Sequence, residues 1–123
     1  MLLEAKNLSV DFSTSKGILY AVRGVDLRLQ EGELLGIVGE SGSGKSVTAH
    51  ALLRLIPGNG SVSGGSVRYR GEEIFTYGRE RLRTYRGGEV SMIFQEPGRS
   101  FDRIYTVGKA MEDTIRAHAP ELE

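Results

Sequence analysis

The sequence contains no cysteine. That excludes disulfides, thiolate metal sites and cysteine nucleophiles. It has no apolar run approaching the ~20 residues that a membrane-spanning helix needs. It has no excess of either charge, since sixteen basic and sixteen acidic side chains give a formal net charge of zero. No global field therefore points to nucleic acid or to an acidic membrane surface. The start, Met1-Leu2-Leu3-Glu4-Ala5-Lys6, lacks a basic segment followed by a long apolar core. No secretory leader is expected there, and a cytosolic location follows by default. Internal repeats and low-complexity tracts are absent as well. What remains is the composition of a soluble globular protein: 123 residues, 39% hydrophobic and 26% charged, with one domain expected.

Glycine is the residue in excess, at seventeen. Its densest use is Gly39-Glu40-Ser41-Gly42-Ser43-Gly44-Lys45-Ser46, which fits the phosphate-binding pattern G-x-x-x-x-G-K-[ST]. A polyphosphate needs many donors at close range. Glycines let the main chain curl so that successive N–H groups point into one concavity. Lys45 adds a mobile cation for the β- and γ-phosphates. Ser46 offers a hydroxyl to Mg²⁺, a hard cation that prefers oxygen. A helix starting near Lys45 would aim the positive end of its dipole at the same anion. The flanks have the required order. Glu33-Leu34-Leu35-Gly36-Ile37-Val38 reads as a buried parallel strand, and a helix is predicted over about 45–56, up to the breaker Pro57.

Elsewhere the periodicities are shorter. Leu8, Val10 and Phe12 alternate, as do Val25, Leu27 and Leu29, so two strands with one buried face are predicted around the polar turn Ser13 to Gly17. Pro57 to Gly65 reads as a glycine- and serine-rich loop. A short strand is expected at Val67 and Tyr69, and a short basic helix over Glu80 to Tyr85. Another buried strand is expected over Glu89 to Phe94, broken by Gln95-Glu96-Pro97-Gly98. Thr106 can cap a last helix in which Val107, Met111, Ile115 and His118 recur at spacings of three or four. Antiparallel strands followed by strand, phosphate loop and helix imply a mixed sheet region fused to a parallel nucleotide-binding core.

The run Gly39 to Thr48, with Met92-Ile93-Phe94-Gln95-Glu96-Pro97 farther along, resembles the ATP-binding subunit of an ABC transporter. Glu40, Val47 and the Phe-Gln-Glu-Pro string are most similar to the oligopeptide, dipeptide and nickel importer branch. The resemblance covers essentially the whole chain. It implies an α/β P-loop NTPase core of ABC type with an N-terminal antiparallel β-subdomain. On that reading, 1–38 and 62–75 supply the β-subdomain strands and the P-loop strand. Residues 39–56 form the P-loop and its helix, 89–98 the Q-loop strand and Q-loop, and 99–123 the start of a helical subdomain.

The resemblance also implies roles. Gly39, Glu40, Ser41, Gly42, Ser43, Gly44, Lys45, Ser46 and Val47 would hold ATP. Phe12 would stack on adenine, with Tyr20 its rival for that place. Gln95 matches the Q-loop glutamine; with Ser46 it would ligate Mg²⁺, or it would hold the attacking water. Lys45 and Gln95 are thus the catalytic candidates. The implied partners are transmembrane permease subunits, a second ATP-binding subunit in a homo- or heterodimer, and, indirectly, an extracytoplasmic solute-binding protein. No nucleic acid is implied. The location would be peripheral, on the cytoplasmic side of the membrane.

Three departures qualify the resemblance. Ser100-Phe101-Asp102-Arg103 stands where the branch commonly has a Ser-Leu-Asn-Pro-like string, which leaves the permease partner and the solute open. Ser63-Gly64-Gly65 imitates the family's signature but precedes Gln95, and it reads as part of a hairpin loop. The signature, the Walker B aspartate with its glutamate, the D-loop and the switch histidine have no match; His50 reads as a helix-surface residue, and neither it nor His118 suits the switch. The chain therefore reads as the N-terminal half of such a subunit. It is expected to bind ATP with little or no turnover and to leave inner strands without partners, a cause of self-association. Two other readings stay open: a nucleotide-binding interaction module, or another P-loop NTPase such as a nucleotide kinase.

Overall fold

A computed structural model describes residues 1–121, in two compact units, Met1–Tyr77 and Gly78–Glu123. The first unit is built on an antiparallel sheet of four strands: β1 (Leu3–Thr14), β2 (Gly17–Leu29), β3 (Gly60–Tyr69) and β4 (Glu72–Glu73), in the order β2-β1-β3-β4. Central β1 carries the core. Its register puts apolar residues in rungs across three strands: Leu29–Leu3–Tyr69, Leu27–Ala5–Val67 and Val22–Val10–Val62. Leu3, Ala5, Val10, Val22, Val67 and Tyr69 are all buried. Such cross-strand contacts, rather than backbone preference, hold a sheet of this size.

The buried positions of β1 change phase midway, from Leu3 and Ala5 to Leu8 and Val10. A bulge at Asn7 allows this. Asn7 has φ +48, the register slips there against both neighbouring strands, and its N–H donates to Asp26 Oδ1 at 2.6 Å. An extra residue at that point returns the next apolar side chains to the core face. Each neighbour meets the bulge with a glycine at positive φ, Gly24 on β2 and Gly65 on β3. Ser63-Gly64-Gly65 is therefore strand, not hairpin loop. Its glycines serve the bulge, and β3 starts at Gly60 rather than near Val67.

The helix α1 (Lys45–Leu52) buries Thr48 and Ala51 and touches β1 and β2. It stops short of the predicted residue 56. Leu53 is the C-cap and Arg54 takes φ +52; Leu55 N–H then donates to His50 O at 2.9 Å, and Arg54 N–H to Ala51 O at 3.0 Å. This is the Schellman ending, normally completed by glycine. Here an arginine accepts the left-handed conformation, and its guanidinium donates to the carbonyls of Ile74 and Tyr77 at 3.2 and 3.0 Å.

The predicted parallel strands do not form among the described residues. Residues 33–38 make no ladder, and Leu34 and Val38 are 98% and 95% exposed. Val90 makes one isolated bridge with Arg86, while Ile93 is 94% exposed. An apolar run becomes a parallel strand only when neighbours run beside it, and no described segment does so.

The second unit contains α2 (Arg79–Thr84), a kinked turn at 85–89, a 3₁₀ turn at Pro97–Ser100 and α3 (Val107–His118). Arg81 grips Glu89 with two N–H···O bonds, at 2.8 and 3.1 Å. His118 reaches the Arg86 carbonyl at 3.2 Å. The helix α3 begins as predicted, since Thr106 Oγ1 accepts from Lys109 N–H at 3.2 Å. Its apolar positions Val107, Met111 and Ile115 are exposed. Thr106→Ala should cost about 1 kcal/mol of local helix stability. Faster amide exchange confined to 107–110 would show it; unchanged exchange there would mean that the cap contributes nothing.

Candidate functional site

The loop before α1 is shaped by its glycines. Gly44 sits at the helix N-cap with φ +96, ψ +8, and no side chain caps the helix. A Cβ at Gly44 would lie 2.7 Å from the Ala21 carbonyl oxygen of β2, so only glycine lets the loop press this close to the sheet. The Gly44 carbonyl accepts from both Thr48 N–H, at 2.9 Å, and Thr48 Oγ1, at 2.8 Å, which ties the loop to the buried side of α1. Ahead of it, Ser43 N–H donates to Glu40 O at 3.1 Å and closes a turn. The first amides of α1 have no intrahelical acceptor, as in any helix, and here no side chain replaces one.

The Lys45 side chain folds back over the loop. Its ammonium donates to the carbonyls of Gly39 and Glu40, both at 2.6 Å, and to Ser43 Oγ at 3.2 Å. The ammonium and the uncapped first amides of α1 are donors matched to a polyphosphate, which would replace the two carbonyls as the partner of Lys45. Residues 39–43 and Ser46 are exposed, so a ligand reaches them without any element moving. The residues therefore fit an anionic nucleotide, with Ser46 hydroxyl at the edge of the loop for a metal ion.

Next to this loop is a small apolar cavity of about 140 Å³, lined by Phe12, Ser46, Val47, His50, Ile56 and Pro57. It brings Phe12 together with Ser46 and Val47. Phe12 is half-buried at the end of β1, paired with Leu19 and Gly60. Tyr20 is not in this cavity; it is exposed on β2, with the Arg23 guanidinium 4.8 Å from its ring centre. His50, read from sequence as a helix-surface residue, is half-buried and lines the cavity. The signal for it was available in principle: positions 46, 47 and 50 fall on one face of a helix that starts at 45.

Gln95 belongs to the second unit. It is exposed and lines a shallow hollow with Phe94, Glu96, Arg99 and Ser100, where Arg99 Nε pairs with Glu96 at 2.6 Å.

A family model described as ABC transporter matches residues 22–121. A putative peptide import ATP-binding protein of Brucella abortus is 51% identical over 117 residues, covering 95% of this chain and 35% of the relative. The oligopeptide transport ATP-binding protein OppD of Bacillus subtilis is 41% identical over 118 residues, covering 95% of this chain and 33% of the relative. The chain thus spans about a third of the length of these curated relatives. Among solved structures, the ATP-binding cassette MJ0796, described as a dimer in a post-hydrolysis state with ADP and Pi, aligns with a TM-score of 0.62. That match has 24% identity and covers 94% of this chain and 54% of the other, so it speaks to the fold alone. Phosphate loop, antiparallel subdomain and family match agree: this chain belongs to the ABC transporter family, with the α/β P-loop NTPase fold of its ATP-binding part.

Proposed function

We propose that this chain is the nucleotide-holding part of an ATP-binding subunit that powers uptake of peptides or a related solute. The observation that carries this is the loop at 39–46, with the Lys45 ammonium drawn into it and an apolar slot beside it. The amides of Gly39 to Ser46, with the side chains of Glu40, Ser41 and Ser43 at the rim, surround the phosphates. Lys45 neutralises the β- and γ-phosphates, Val47 and Phe12 contact the base and ribose, and the Ser46 hydroxyl would hold Mg²⁺. The metal would supply charge neutralisation between the outer phosphates.

The peptide-import names of the relatives support permease subunits and a second ATP-binding subunit as partners, with a solute-binding protein beyond them. They also support a peripheral place at the cytoplasmic face of the membrane; no helix among the described residues is long and apolar enough to cross it. Within these residues no apolar strand ends in an acidic pair that could polarise water. The chain alone should therefore bind Mg-ATP with negligible hydrolysis.

Thermal unfolding with and without Mg-ATP tests the reading. Ligand at a hundredfold excess over Kd should add about 2.7 kcal/mol. That raises the midpoint by on the order of ten degrees for a chain of this size. No shift at millimolar Mg-ATP would sink the nucleotide assignment, and family-like phosphate release from this chain would refute the silent-binding part of it.

A further inference from the structure

The slot at Phe12 has a wall that phosphate binding does not require. His50 lies one helical turn beyond Ser46, and its Nδ1 stands 2.6 Å from the Ser46 carbonyl oxygen. A carbonyl only accepts, so Nδ1 carries the proton and donates, which sets the tautomer of the neutral ring and fixes its rotation. Ser46 and Val47 belong to both the phosphate loop and the slot. The slot and the loop therefore share these two residues, and the slot is lined besides by the aromatic side chains Phe12 and His50, with Ile56 and Pro57 completing it.

Gly60 maintains this shape. Its φ is not in the left-handed region, so its backbone does not call for glycine. Space does: a Cβ there would lie 2.5 Å from Ile56 Cγ2 and 2.6 Å from Phe12 Cε1. Any side chain at 60 would push two walls of the slot at once.

We infer that His50 is a specificity-determining residue of the base site, its imidazole and the Phe12 ring together bounding the slot that takes a planar nucleobase, while Gly60 keeps that slot open. The inference rests on the nucleotide reading above. Its distinctive consequence is that base recognition and phosphate recognition separate. A purine has more face to offer the two rings than a pyrimidine, and inorganic tripolyphosphate has none.

Calorimetric titration of the chain with Mg-ATP, Mg-CTP and Mg-tripolyphosphate tests it. His50→Ala should weaken ATP about five- to tenfold, the size of one lost stacking partner. Tripolyphosphate affinity should stay unchanged, and the preference for ATP over CTP should narrow. His50→Phe should restore most of the ATP affinity, and Gly60→Ala should lower it while sparing tripolyphosphate. His50→Gln, which keeps an aliphatic stem without a ring, replaces the alanine variant if that one does not fold. An unchanged ratio of ATP to tripolyphosphate affinity in the ringless variants would overturn the role of His50. Failure of the underlying reading looks different: wild type would bind neither ligand, or would bind both with no effect of Lys45→Ala, and the inference would fall with it.

Discussion

Lys45→Ala should weaken Mg-ATP binding by roughly two orders of magnitude, about 3 kcal/mol. The ammonium is not free in the ligand-free loop. It already donates to two carbonyls at 2.6 Å and to Ser43 Oγ at 3.2 Å. Binding therefore exchanges neutral oxygens for phosphate oxygens, and only the difference appears as affinity. The ammonium–carbonyl bonds carry charge on one partner, and the ammonium–phosphate bonds carry it on both. Two opposite unit charges 4 Å apart gain about 4 kcal/mol at the effective dielectric of a protein surface. Loss of the carbonyl partners and salt screening remove part of that, which leaves the figure above. Lys45→Arg should not rescue, because a planar fork does not fit a cradle closed around a point donor. In the absence of nucleotide the same variants should differ from wild type by less than about 1 kcal/mol, since the loop is exposed and its bonds exchange readily with water. Titration calorimetry at fixed ionic strength reads the first effect and urea unfolding the second. Equal ATP affinity of wild type and Lys45→Ala would mean that the loop does not hold the triphosphate.

Much of the site was legible because local chemistry specifies it. The glycine spacing, Lys45 and Ser46 need only the main chain around them, and the structure places them at a helix start as the pattern requires. Thr106 is similar: a cap is a bond between residues three apart, and it was read correctly. The misreadings arise where a distant partner decides. Arg54 ends α1 in a conformation that glycine usually takes, held by carbonyls of Ile74 and Tyr77 some twenty residues away. Nothing in the sequence near residue 54 announces that. Residues 33–38 have the composition of a buried strand, yet a strand is a property of its neighbours, and Leu34 and Val38 lie exposed without any. Ser63-Gly64-Gly65 looked like a loop because glycine is rare in strands; the bulge opposite it supplies the reason that glycine is there.

That bulge gives the largest stability effect expected in the molecule. Gly65→Ala should destabilise the first unit by about 3–5 kcal/mol, a large share of what a domain of this size possesses. Two terms contribute. The residue sits at φ +85, which costs an L side chain roughly 1–2 kcal/mol. The methyl would also overlap the Asn7 carbonyl, both its oxygen and its carbon, and stand 2.5 Å from Lys6 O. All three are backbone atoms of β1, the strand that both β2 and β3 pair with, so none can swing aside as a side-chain tip would. Relief requires that β1 and β3 separate or that the bulge at Asn7 be lost. Losing the bulge would shift the phase of β1 and turn Leu8 and Val10 out of the core. Gly42→Ala is the control, because Gly42 has a similar φ of +78 with nothing within 4 Å of its Cβ position. It carries the conformational term alone and should cost roughly the same 1–2 kcal/mol. In urea unfolding followed by circular dichroism, a gap of at least about 2 kcal/mol between the two variants isolates the clash against β1. Equal, small losses would mean that the strands yield at this point, and that the change of phase along β1 is not pinned by Gly65.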